Sequence, residues 1–466
     1  MMILRQWLSF GICWGVFFGA AGVAAGQAAP GGWQAGVARA QITPEEPLWL
    51  AGYASRDREA EGALHDLWVK ALALRDASGH TAVLVTTDII GYPKEMSDRI
   101  RDAIGREHGL VRAQIVLSGS HTHSGPVLDN SLPDIYPTNA AQQEAIVRYT
   151  RRLEGIVAAT VGAALADLAP AEIFTGSGVA RFAVNRRNNR EAEILQLHAL
   201  EGPQDHAVPV LKVQRANGEI AAIVFGYACH ATTLDGYQWC GDYPGFAQID
   251  LEAAYPGAAA MFFAGCGGDQ NPLPRRSVAL AQQYGRTLAA AVFCALESPM
   301  RALAPELHTA YHEVELAFEA PPTREELTDI IEKSEGYVRR WAERMRGILD
   351  AGQSLPATYP YPVQAWRLGD QTVIVMGGEV VVDYAVKLKQ LLGRDTIIMG
   401  YANDVMAYIP SQRVRLEGGY EGATAMRAYG QPAPWTDDVE DRVMGALQLV
   451  CAQIGRPFAG DLASAK

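Results

Sequence analysis

Two histidines stand one residue apart in Ser120-His121-Thr122-His123-Ser124-Gly125-Pro126. On extended backbone, residues two apart project to the same side, so both imidazoles can address one point. Two neutral ring nitrogens at that spacing suit a zinc ion, although the same tripeptide also serves as a pair of hydrogen-bonded loop histidines. A further histidine, His230, lies in Tyr227-Ala228-Cys229-His230-Ala231-Thr232-Thr233, either as a ligand or as a buried ring satisfied by backbone groups. Cys229 beside it would face the opposite way and reads as core. Glu379, in Gly377-Gly378-Glu379, ends a strongly apolar run. A carboxylate there is costly to bury unless a metal or a buried arginine compensates it, and the glycines before it permit close backbone approach. Gly265-Cys266-Gly267-Gly268-Asp269-Gln270-Asn271-Pro272 makes a glycine-rich turn. Its N–H groups could cradle an anion or an oxyanion, or it could be no more than a tight turn. The run 401–422 holds Tyr401, Tyr408 and Tyr420 with little apolar periodicity. It is expected to be an irregular loop, and composition alone selects none of its tyrosines.

These residues share a position relative to the elements around them. His121 and His123 follow QIVLSGS, His230 follows AAIVFGYAC, the glycine-rich loop follows AAMFFA, and Glu379 follows TVIVMGG. Apolar runs at 68–74, 82–87, 114–118, 220–227, 259–263, 373–376 and 396–399 read as strands. Amphipathic stretches at 95–107, 141–168 and 279–296 read as helices, with another opening at Thr323, where Glu326 completes a capping-box spacing after Pro321 and Pro322. The mixture predicts an α/β fold, a mixed β-sheet core flanked by helices, in one large domain with the site on loops at strand ends.

The 466-residue chain is 49% hydrophobic and 20% charged, the composition of a globular protein with a sizeable core. A formal net charge of -12 and the lack of a basic stripe argue against a nucleic-acid partner. Arg5, the apolar run 8–23 and the small residues Ala24, Ala25, Gly26, Ala28 and Ala29 read as a signal peptide over residues 1–29. The rival reading of that run is an uncleaved membrane anchor. A signal peptide would make residues 30–466 an exported catalytic domain, with at most peripheral membrane contact. Beyond the leader stand Cys229, Cys240, Cys266, Cys294 and Cys451, an odd number too sparse for a disulfide scaffold.

Taken in order, the motifs resemble the neutral/alkaline non-lysosomal ceramidase family. The likeness runs from Ile42-Thr43-Pro44 and Gly52-Tyr53 through His121-Thr122-His123-Ser124-Gly125-Pro126, Asn185-Arg186, His230, Gly268-Asp269, Gly378-Glu379 and Tyr408 to Tyr420-Glu421-Gly422. The resemblance implies a zinc ion held by His121, His230, Glu379 and Tyr408, with His123 and Arg186 lining the substrate and Tyr420 as a second active-site tyrosine. The tyrosine pair has an internal check, since the family spaces its two active-site tyrosines twelve apart, as Tyr408 and Tyr420 are. Two departures stand out. Asn271 occupies the place of a serine with an assigned catalytic role; an amide cannot be a hydroxyl nucleophile but can donate to a developing oxyanion. The family's ceramidases also continue into a C-terminal β-sandwich domain, for which this chain is expected to leave no room.

The chemistry implied is hydrolysis of an amide (N-acyl) bond of a small-molecule or lipid-like substrate by a zinc-bound hydroxide. His123 or Asp269 would move the proton. A zinc hydrolase of a non-ceramide amide or ester, or a non-catalytic metal-containing binding protein, are the alternatives. A metallo-β-lactamase-like enzyme would want HxHxDH, but Ser124-Gly125 follow His123. An amidohydrolase barrel would need later His and Asp ligands in a regular rhythm.

Overall fold

The computed structural model describes residues 31–460; the leader expected over 1–29 lies outside them. Among the described residues no helix is long and apolar enough to cross a membrane.

The main sheet follows the order Ala259–Ala264, Ile220–Tyr227, Ala207–Arg215, Ala169–Val179, Trp33–Gln41, Trp68–Arg75, Thr81–Thr87 and Ile115–Gly119. Its interior pairs are antiparallel, whereas the pair at each edge is parallel. A parallel pair needs a crossover, and each edge uses a helix for it. Lys94–His108 joins Thr81–Thr87 to Ile115–Gly119, and Asp242–Ala254 joins Ile220–Tyr227 to Ala259–Ala264.

Alternation along the strands decides what each face meets. Ala71 and Ala73 pack outward with Ile100 and Ile104 of the first crossover helix and Val157 and Val161 of helix Ala140–Ala166. Ile223 and Phe225 do the same toward Asp242–Ala254 and Val278–Glu297. The inward set, including Leu72, Leu84, Val116, Val224 and Met261, meets Trp366, Val373, Val375, Ile397 and Met399 of a second sheet. That sheet runs Leu307–Ala317, Thr358–Leu368, Gln371–Met376, Ile397–Met399. Its other face, with Ile374 and Met376, is covered by Val443, Leu447 and Val450 of helix Val439–Gln453. The α/β expectation therefore holds, with two mixed sheets packed face to face and helices outside both. Burial on both faces explains why several strands read as unbroken apolar runs.

The elements expected from the sequence recur within a residue or two of their expected ends. Thr323 caps helix Arg324–Lys333 in the reciprocal box with Glu326. The stretch 401–422 differs from the irregular loop expected. It contains the short strand Tyr408–Ile409, the helix Gln412–Glu417 capped by Ser411, and the turn Gly419–Gly422. Only Val414 of the six-residue helix is buried, so no apolar period could announce it. All five described cysteines are free, and Cys229 is core as its register required.

Candidate metal centre

The two edges of the main sheet are tied together at one end. The chain leaving Ile397–Met399 lies between them: Gly400 N–H donates to Ala264 O at 3.0 Å and Asn403 N–H to Leu117 O at 2.6 Å. A parallel bridge between Thr122 and Ala231 joins the loops beyond those strands. His123 N–H adds a 3.2 Å bond to Ala231 O. Strands remote in sequence thus deliver His121, His123 and His230 to one place, where their ligand atoms lie within 4.8 Å of one another. Glu379 arrives from the second sheet. It opens the short strand Glu379–Val380, which pairs in parallel with Tyr408–Ile409 so that Glu379 is in register with Tyr408. Paired positions project to the same side of a ladder.

The hydrogen bonds decide the tautomers. His121 Nδ1 donates to Ile90 O and His230 Nδ1 to Gly267 O, both at 2.6 Å. A carbonyl only accepts, so each ring carries its proton on Nδ1 and turns the Nε2 lone pair inward. Those Nε2 atoms lie 3.2 and 2.9 Å from Glu379 Oε2, which is buried and has no hydrogen-bond donor. Two lone pairs and a carboxylate oxygen converging with no hydrogen between them call for a cation, and the N/O donor set fits zinc. Tyr408 Oη, 3.3 Å from His230 Nε2, completes the group. Arg186 donates to that oxygen at 3.0 Å, but burial and the Glu379 carboxylate outweigh its charge and push the phenol well above its ordinary range. His123 Nε2 stands 3.3 Å from His121 Nε2, but its buried Nδ1 has no partner. Ring nitrogens that bind metals are normally oriented by a bond to the other nitrogen. His121 and His230 have that bond and His123 lacks it.

Charge follows the same geometry. Burial, reinforced by Arg186, depresses His230 to about 4 against the pull of Glu379. Burial and the neighbouring imidazoles hold His123 well below the usual histidine range.

Arg186 is the hub of the wall opposite. Besides Tyr408 it donates to Glu421 Oε1 at 2.7 Å and to Asn271 Oδ1 at 3.2 Å. Because a guanidinium only donates, the Asn271 amide must turn its oxygen to Arg186, which frees Nδ2 as a donor. Tyr420, 45% exposed, sits at the rim with its ring 5.4 Å from that of Tyr408.

Two sequence expectations change. Asp269 does not have the geometry of a proton shuttle. One carboxylate oxygen accepts from Val382 N–H at the start of helix Val382–Leu392 and the other from the Asn185 amide, both at 2.9 Å, so it staples three segments together. Nor is the glycine-rich loop an open anion cradle. The N–H groups of Gly265, Gly267, Gly268 and Gln270 donate to Tyr227, Gly265, Val380 and Gly267 carbonyls. The glycines instead allow backbone to touch backbone, since a Cβ on Gly267 would stand 2.8 Å from Cys229 N and one on Gly268 2.6 Å from Glu379 O.

Residues that sequence reasoning did not single out also surround the site. Tyr401, held at φ 53°, lays its ring 4.3 Å from that of His121. Glu421 pairs with both Arg186 and Arg187, and Tyr429 donates to Glu379 Oε1. Tyrosines carry no spacing rule that separates a site role from packing, so only Glu421, inside the Tyr420-Glu421-Gly422 triplet, had any signal.

Fold and site together define a two-sheet α/β protein with a buried histidine–glutamate centre suited to a metal. The family description "Neutral/alkaline non-lysosomal ceramidase, N-terminal" matches residues 33–269, and the chain belongs to that family. Neutral ceramidase B of Dictyostelium discoideum is 27% identical over 245 residues, a stretch covering 48% of this chain and 33% of that protein. The crystal structure of neutral ceramidase from Pseudomonas aeruginosa shares the fold with a TM-score of 0.70 at 18% identity, covering 93% of this chain and 77% of that one. A structure described as a ceramidase complexed with C2 gives a TM-score of 0.69 at 17% identity, over 92% and 76% of the two chains.

Proposed function

We propose that residues 30–466 form the catalytic domain of an exported, zinc-dependent hydrolase that cleaves an amide (N-acyl) bond of a lipid-like substrate. The observation that carries this reading is the inward pair of Nε2 lone pairs on His121 and His230, facing the unpartnered Glu379 Oε2. Family membership supports the amide bond and the lipid class, and the leader-like residues 1–29 support export.

His121, His230, Glu379 and Tyr408 would hold the zinc. When bound, zinc acidifies a water and polarises the carbonyl under attack. His123 is the group suited to moving a proton. Its Nε2 is at the centre and its Nδ1 is uncommitted. Asn271, whose oxygen is taken up by Arg186, would use its free Nδ2 to donate to a developing oxyanion. Tyr420, exposed at the rim, is placed to contact substrate entering the site.

Two measurements test the proposal. Metal analysis should find about one zinc per chain, lost in His121→Ala and in His230→Ala; full occupancy in both variants would sink the ligand assignment. The zinc-loaded protein is then incubated with a pool of N-acyl lipids, N-acyl amino acids and acetylated sugars. Mass spectrometry should show cleavage of N-acyl lipids, and cleavage of none would favour a binding protein.

A further inference from the structure

Glu379 has two oxygens in different surroundings. Oε2 faces His121 and His230, whereas Oε1 accepts the hydroxyl of Tyr429. A carboxylate whose second oxygen is held by an O–H donor is disfavoured as a two-oxygen ligand and fixed in rotation about its terminal bond.

Tyr429 is itself held from outside the site. Arg344, on helix Gly336–Asp350, donates to Gly430 O at 3.0 Å, and Trp341 on the same helix donates through Nε1 to Gln431 O at 2.9 Å. Arg344 is locked by a two-pronged bond to Asp134, at 2.9 Å through Nε and 2.6 Å through Nη2. Gly430 adopts φ 72°, and a Cβ there would meet Arg344 Nη2 at 2.5 Å and Pro133 Cγ at 2.9 Å. The helix is part of the excursion between strands Leu307–Ala317 and Thr358–Leu368, with a small core of its own around Leu327, Ile331, Trp341 and Met345. The segment after Tyr420 is therefore clamped one residue beyond Tyr429.

We propose that Tyr429 is a positioning residue that presents Glu379 to the metal through Oε2 alone, and that helix Gly336–Asp350 acts on the metal centre by holding Tyr429 in place. This rests on the metal site proposed above. Removing the Tyr429 hydroxyl frees Glu379 to rotate and to offer both oxygens, which changes affinity and coordination number together.

The test uses Tyr429→Phe, Arg344→Ala and His121→Ala in the full chain. Zinc affinity is measured by competition with a chelator, coordination by the visible spectrum of the cobalt(II) form, and thermal unfolding on metal-free protein. Tyr429→Phe is expected to weaken zinc by roughly 10- to 100-fold and to alter the cobalt spectrum as coordination number changes. Arg344→Ala, remote from every ligand, should weaken zinc by about threefold or more, and it carries the same test if Tyr429→Phe does not fold. A merely structural tyrosine would lower metal-free stability while leaving affinity and spectrum alone, and that result overturns the inference. If His121→Ala loses zinc while Tyr429→Phe and Arg344→Ala bind within twofold of the parent, this inference alone fails. Were His121→Ala to bind like the parent, the metal site would be misplaced and the role of Tyr429 would fall with it.

Discussion

Gly268→Ala should damage the metal centre without touching a ligand. Gly268 has an ordinary backbone conformation, so the cost is steric rather than torsional. Its added Cβ would stand 2.6 Å from Glu379 O and 2.9 Å from Val380 O, against 3.4 Å for an ordinary contact. Both neighbours are backbone, so relief requires strand Glu379–Val380 to retreat by about 0.8 Å, the difference between 2.6 and 3.4 Å. That shift also strains the 2.9 Å bond from Gly268 N–H to Val380 O. Overpacking of this kind costs about 1–3 kcal/mol, and the weakened bond adds roughly 1 kcal/mol. Metal–ligand distances tolerate only about 0.2 Å, so the retreat should lower zinc affinity by on the order of tenfold or more. Chemical denaturation of metal-free protein and chelator competition read the two effects separately. Gly347→Ala is the control, because that glycine lies exposed on helix Gly336–Asp350 with nothing within 4 Å of the added methyl. Helix propensity should make it neutral or stabilising by up to about 1 kcal/mol. If Gly268→Ala unfolded within about 0.5 kcal/mol of the parent and bound zinc equally well, the loop would not be the support described.

Asn271→Ala should lower kcat by roughly a hundredfold with zinc content unchanged; parental turnover would remove the amide from the mechanism. Asp404 offers a test of stability against pH. It is buried, with Oδ1 unpartnered and Oδ2 accepting from Tyr359 at 2.7 Å, and burial pushes its carboxyl up to about 7. The folded chain then keeps a proton that the unfolded chain releases near pH 4, so this stabilisation is complete below about pH 4 and is lost as pH rises through about 7. Asp404→Asn should flatten that decline, and matching pH profiles for parent and variant in urea denaturation would show that the carboxyl does not titrate there.

The individual motifs were legible in the sequence because each chemically capable residue directly follows an apolar strand, and strand periodicity is a local property. His121, His123, His230 and Glu379 could be picked out as candidates from residue type and position, each with a structural alternative, and their ligand roles came from the family resemblance; spacing placed the capping box at Thr323. Local pattern does not say which strand ends meet. That depends on two parallel edge pairs being tied together through Gly400 and Asn403, contacts spanning more than a hundred residues that leave no periodic trace. Roles set by hydrogen-bond direction were likewise decided only in three dimensions. Asp269 looked like an acid–base group until both its oxygens were found on Val382 and Asn185. The glycine-rich loop could have been an anion cradle or a plain turn, and the N–H groups of Gly265, Gly267, Gly268 and Gln270 prove to be spent on carbonyls. Tyr429 carried no signal at all, because its importance lies in which oxygen of Glu379 it reaches. Residue type and spacing limit what a side chain is able to do; its partners select among those possibilities, and the partners are a product of packing.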